Sequence, residues 1–122
     1  MSPDETTILY RPVGQKELDL IAATDFKAFP PRLEWQPIFY PVMNEEYATF
    51  IAREWNMKDE ASGFAGYVLR FSVRSKFLSQ FPVQKVGSAT ALELWIPSER
   101  LAEFNQEIVG RIELVSTFLN PS

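Results

Sequence analysis

An α+β fold in a single domain, with a small split and mostly antiparallel sheet and about three helices, is what this chain of 122 residues predicts. Three observations carry that expectation. Residues 66–74 alternate with period two: Tyr67, Leu69, Phe71 and Val73 fall on one face, and Val68, Arg70, Ser72 and Arg74 on the other, the pattern of a strand. Residues 43–56 repeat Tyr47, Phe50, Ile51 and Trp55 at helical spacing, behind Asn44 as N-cap and with Glu45 and Glu46 in the favourable first turn. The stretches of both kinds follow one another without regular strand–helix–strand alternation, which argues against a parallel sheet built from crossovers.

In chain order, residues 1–7 read as a polar tail, 8–118 as the globular domain and 119–122 as a second tail. Residues 8–13 form the first strand, with Leu9, Arg11 and Val13 sharing one face and Ile8 and Tyr10 the other; Pro12 suits an edge strand or a strand that ends there. Gly14 leads into a helix over 15–24 whose apolar stripe is Leu18, Ile21 and Ala22. Residues 25–37 hold three prolines and three large aromatics, so they form a loop pinned by aromatic anchors, either functional or a rigid cover over the core. A short strand follows at 38–42, then the 43–56 helix and a polar turn region at 57–66. After the 66–74 strand come a short helix at 75–81, a strand fragment at 82–86 and a turn at Gly87–Ser88. Residues 111–118 close the chain as a strand, after Gly110 stops the preceding helix.

Composition narrows the chemistry. Apolar residues make up 46% and aromatics 14%, with ten Phe, enough for one core without a disulfide or metal staple. A net charge of −4 provides no broad basic field for duplex nucleic acid. With no Cys and no His, thiol nucleophiles, the usual zinc sites and His-based triads are excluded, and any acid or base is Asp, Glu, Lys or Tyr. No run is long and apolar enough to span a membrane and the acidic start does not resemble a signal peptide, so a soluble, cytoplasmic protein is expected. Phosphate-loop, dinucleotide-fingerprint, zincin and nucleophile-elbow motifs are missing. Glu45, Glu46, Glu54, Glu99, Glu103 and Glu107 fit helix surfaces better than a paired-carboxylate cleft.

The stretch 90–110 stands out. Leu92, Leu94 and Ile96 form a core face, while Ala91, Glu93 and Trp95 form the other, placing a carboxylate between a small side chain and an indole. Pro97 ends that strand, Ser98 suits a helix N-cap, and Leu101, Phe104 and Ile108 recur at helical spacing. The remaining constellation is Arg11 on the first strand, Tyr47 at the opening of a helix and Glu93 on a late strand. For Arg11 and Glu93 the plainer alternative is a mutual salt bridge or two unrelated surface charges, for Tyr47 an ordinary core position, and for Arg32 a solvated side chain.

The segments ILYRPV, FPPRLEWQPIFYPVMNEEYATFIAREWN, GYVLRFSV and ELWIPSERLAEFNQEIVG, in that order, resemble a group of small bacterial proteins labelled ADP-ribosylation/crystallin and, more distantly, the ADP-ribosyltransferase fold. The resemblance implies an NAD- or ADP-ribose-binding domain. Arg11 would grip phosphate or ribose oxygens, Tyr40 or Tyr47 would stack on a ring with Asn44 among the cofactor-binding residues, and Glu93 would be the catalytic carboxylate. Ala91 stands two residues before Glu93, where the arginine-directed class places Gln or Glu, so arginine modification is not implied. The alternative function is a non-enzymatic module that docks a protein partner through the aromatic, proline-rich loop and the helix after it.

Overall fold

The computed structural model describes residues 5–87 and 91–119. Its centre is the strand whose alternation is clearest in the sequence. Strand β3 (Ala65–Arg74) lies between β1 (Thr6–Val13) and β7 (Ile108–Leu119), antiparallel to both. Each pairing puts directly opposed residues on one face. Leu9, Arg11 and Val13 therefore share a side with Tyr67, Leu69, Phe71 and Val73, while Tyr10 lies on the other side with Val68 and Arg70.

A single residue extends this sheet. Val42 exchanges backbone hydrogen bonds of 2.8 and 2.9 Å with Tyr10, and on its other flank it bridges to Glu93. Flanking bonds from Met43 N–H to the Leu92 carbonyl and from Leu94 N–H to the Pro41 carbonyl, both 2.9 Å, secure the splice. Strand β5 (Leu92–Leu94) and its antiparallel partner β4 (Val83–Lys85) are thereby joined to β1 through Val42. A second small ladder pairs β2 (Ile38–Phe39) with β6 (Ile96–Pro97). The split, antiparallel sheet expected from the sequence is thus present, with helices on both of its faces.

One face carries the larger core. Helices α1 (Gln15–Ala22), α3 (Ser75–Leu78) and α4 (Leu101–Gln106) deliver Ile21, Phe77, Leu78, Leu101 and Phe104 onto it. Phe29, Phe39, Phe71 and Phe104 form a set of tilted and edge-to-face rings with centroids 4.8 to 6.4 Å apart, the geometry that aromatic quadrupoles favour. Phe26 and Phe29 anchor the proline-rich loop, as expected of its aromatics, but Trp35 at its tip is 75% exposed. Asn105 clamps this loop with two bonds, from the Phe29 N–H at 2.9 Å and to the Phe29 carbonyl at 3.0 Å.

The opposite face is covered by α2 (Glu45–Glu54) through Ala48 and Ala52, both fully buried against Val42 and Val68. Of the stripe expected to be buried, Tyr47 and Ile51 are half-buried and pack against the same cluster, whereas Phe50 and Trp55 are exposed. Close approach explains the exchange. A Cβ at Gly66 would stand 2.2 Å from the Ala52 carbonyl oxygen, so the helix lies on the backbone of β3 at a distance only small residues permit.

Other boundaries moved for local reasons. Ala22 is exposed rather than part of the α1 stripe. The strand expected to run to Ile96 breaks at Trp95, because β6 leaves the β5 ladder to pair with β2. Ser98 opens a 3-10 turn, Ser98–Arg100, ahead of α4. Ile108 pairs with Val73 and so begins β7, and Gly110, expected to stop the helix, lies inside that strand with φ +80. Thr90 and Ser88, included in the expected strand and turn, lie outside the described residues. Among the described residues no helix is long and apolar enough to cross a membrane.

Gly66→Ala should lower stability by about 1–3 kcal/mol, the usual range for overpacking a site that cannot relax. Urea denaturation would show this as a lower midpoint at unchanged slope; an unaltered midpoint would mean that α2 does not lie on β3 as closely as described.

Candidate functional site

Arg11 is a cation on a core-facing strand position, flanked by Leu9 and Val13, and is only 8% exposed. Such a charge demands partners on every side. Glu17, in the first turn of α1, takes a bidentate pair from it, Nε to Oε2 at 2.6 Å and one terminal nitrogen to Oε1 at 3.0 Å. The other terminal nitrogen donates to the Tyr40 carbonyl at 3.3 Å, and the guanidinium carbon stands 4.5 Å from the centre of the Phe39 ring. The Arg11–Glu93 salt bridge that the sequence left open as an alternative is therefore replaced by a local one. A carboxylate at the start of the helix that follows an arginine-bearing strand is the signal that would have found Glu17.

A second guanidinium shares the same ring. The proline-rich loop carries Arg32 to 5.9 Å from the centre of Phe39. Burial holds the Arg32 pKa below its ordinary value, and the charge of Arg11 lowers it further. Its Nε is buried without a hydrogen-bond partner. Arg32 and Arg11 line a cavity of about 450 Å³ together with Lys16, Glu17, Gln36 and Asn56, whose Oδ1 is likewise buried and unpaired. Three cations thus face one carboxylate in a protein whose net charge is −4. An adjoining, more apolar cavity of about 600 Å³ shares Leu20, Pro30, Pro31 and Arg32 with the first and is floored by Phe29, Leu101 and Ala102.

Glu93 is elsewhere. Because Tyr10, Val42 and Glu93 are directly opposed across two bridges, the Glu93 side chain shares the α2 face with Tyr10, opposite to Arg11. It accepts a hydrogen bond from the Trp95 indole nitrogen at 2.7 Å and another from the Tyr47 phenol. The Trp95 ring meets Tyr40 edge-on at 6.4 Å. The residues expected to converge on one hollow are consequently divided: Arg11 faces the cavity described above and Glu93 and Tyr47 lie on the α2 face, while the Tyr40 ring meets Trp95 with its phenol in electrostatic reach of Arg32. Asn44 is occupied as the α2 N-cap, its Oδ1 taking the Tyr47 N–H at 2.7 Å. Among the described residues no group of three or more acidic, His or Cys side chains is placed to hold a metal.

Burial raises the Tyr47 pKa, and the charge and hydrogen bond of Glu93 raise it further. A raised folded-state pKa contributes stability that is full below the ordinary tyrosine value and is lost as pH rises through the folded one. Ultraviolet titration of native protein minus Tyr47→Phe should show a phenol ionising above the ordinary tyrosine range. In Glu93→Gln it should ionise lower, yet still above that range, because burial remains; an unmoved titration would separate Glu93 from Tyr47.

No family model, curated protein or solved structure matches this chain, so what it does has to be read from these residues.

Proposed function

We propose that this chain is a binding domain for a phosphate-bearing ligand of the NAD or ADP-ribose class, seated in the cleft of Arg11 and Arg32, and that Glu93 takes no catalytic part in it. The observation that carries this is Arg32: a guanidinium desolvated beside a second one, with a buried N–H that no protein group accepts. Leaving a buried donor unpaired costs about 1–3 kcal/mol, and more beside a like charge. A diphosphate would accept that N–H, offset the repulsion between the two arginines and find Lys16 at the cavity wall. The adjoining cavity, with Phe29, Leu20 and Leu101, offers an apolar wall to the flat, uncharged part of such a ligand. The ADP-ribosyltransferase-like fold belongs to the same proposal. Its expected catalytic geometry does not, since a carboxylate on the α2 face cannot reach a ribose held on the Arg11 face.

The second reading, a module docking a protein through the proline-rich loop, draws on one feature, the exposure of Trp35 and Leu33 at the loop tip.

Calorimetric titration with ADP-ribose and NAD separates the two. Native protein should bind ADP-ribose, Arg32→Leu should weaken it by about tenfold or more, and Glu93→Gln should bind like native. Arg32 is the better probe because Arg11→Ala would strand the Glu17 carboxylate against the core. Absence of heat in native protein would dismiss the nucleotide and leave the loop tip as the functional feature; NAD consumption abolished by Glu93→Gln would reinstate a catalytic carboxylate.

A further inference from the structure

A third cavity, of about 440 Å³, lies on the α2 side of the sheet and belongs to neither arginine. Among the described residues its walls are Glu46, Tyr47, Phe50, Ile51 and Trp55 from α2 and its C-terminal turn, faced by Val86, Gly87 and Ala91. Among the described residues three aromatic rings and one carboxylate line it, and no Lys or Arg does. At the helix end Arg53 and Lys58 are paired with Glu54, and on the other wall Lys85 precedes Val86 without lining the cavity. Phe50 and Trp55 are large apolar side chains left exposed there, although burying them on β3 would have been the ordinary use of an amphipathic helix. They stay exposed because Ala48 and Ala52 make the closest helix–sheet contact instead.

Aromatic faces carry negative potential and attract cations whose charge is spread over methyl groups, which part with water easily. Tyr47 is suited to this use: its hydroxyl donates to Glu93, which enriches the ring in electron density. Glu45 and Glu46 offset the positive end of the helix, and Glu46 itself stands in the cavity wall. We propose that this cavity is an aromatic cage for a small quaternary ammonium compound of the choline class, its cationic head held against Tyr47, Phe50 and Trp55 with Glu46 as counter-charge. The same carboxylate disfavours ligands in which the ammonium stands beside an anion, so zwitterionic heads such as phosphocholine are poorer occupants. This site is separate from the arginine cleft and does not depend on what binds there.

The decisive probe is choline against its neutral carbon isostere, 3,3-dimethyl-1-butanol, followed through the Trp55 indole signal by NMR, with Trp55→Phe assigning the peak. Choline should shift that signal and bind about tenfold more tightly than the isostere, with phosphocholine weaker than choline. Phe50→Leu and Glu46→Gln, both at exposed positions, should each weaken choline about threefold, and Trp35→Phe should leave it unchanged. An isostere that binds as well as choline would reduce the cavity to a plain apolar hollow and overturn the proposal. So would an unmoved Trp55 signal, tighter binding of phosphocholine, or choline binding indifferent to Phe50 and Glu46.

Discussion

The constraint on which this molecule turns is a guanidinium at a position that strand alternation assigns to the core. Arg11 sits between Leu9 and Val13, both essentially inaccessible to water. Moving one charge out of water costs several kcal/mol even after relaxation, so the surrounding chain has to arrive in a fixed arrangement to compensate. Two separate segments do so, with three groups between them. The first turn of α1 brings Glu17, the end of β2 brings the face of Phe39, and the residue after it turns its carbonyl inward. Only Gly14 separates β1 from α1, which is why a partner six residues away can reach back bidentately.

The proline-rich loop is held by the same group of residues. Phe29 lies between Phe39 and Phe71, so the ring that receives Arg11 also seats the loop. The loop is tied down further where Asn105 satisfies both backbone groups of Phe29, and where the Phe26 carbonyl accepts from Ile112 at 2.7 Å. Asp25 and Phe26 take positive φ to make that turn, a conformation unfavourable for side chains of their kind and here supported by these contacts. Once the loop is fixed at Phe29, Pro30 and Pro31 leave little freedom, and Arg32 arrives beside Arg11. Two like charges over one ring are therefore a consequence of how the core closes, and the cleft inherits an electrostatic demand that the protein's own groups leave partly unmet.

Strand patterns were legible in the sequence because alternation is a local signal. Tyr67, Leu69, Phe71 and Val73 are buried together, and the side of β1 occupied by Arg11 followed from Leu9 and Val13 without any structure. The face of α2 was legible only in part, through Tyr47 and Ile51, which do pack against the sheet. Spacing favours Tyr47, Phe50, Ile51 and Trp55, but it is Gly66 on a strand 14 residues beyond Ala52 that makes room for Ala48 and Ala52, and no periodicity reports on a partner element. Likewise, Glu93 was correctly singled out as a carboxylate in an unusual setting, yet its distance from Arg11 depends on Val42. That residue makes an isolated bridge on each side and fixes the phase between β1 and β5. Shifting that splice by one residue would have turned Glu93 to the other face.

The sheet accordingly separates two environments of opposite character. On one side lies a cleft with cations in excess, on the other an aromatic hollow with a carboxylate in its wall. Tyr40 connects the two. Its carbonyl holds Arg11, its ring abuts Trp95, and the Trp95 indole in turn holds Glu93 and through it Tyr47. The carbonyl and the ring of Tyr40 can serve different neighbours because it lies between the end of β2 and the Val42 bridge, where the backbone belongs to no regular ladder. In a paired strand the carbonyl would point along the sheet to a neighbour; released from pairing, it can point at a buried charge instead. The irregularity at Tyr40 therefore frees a carbonyl to add to the bidentate Glu17 pair that holds the buried charge of Arg11.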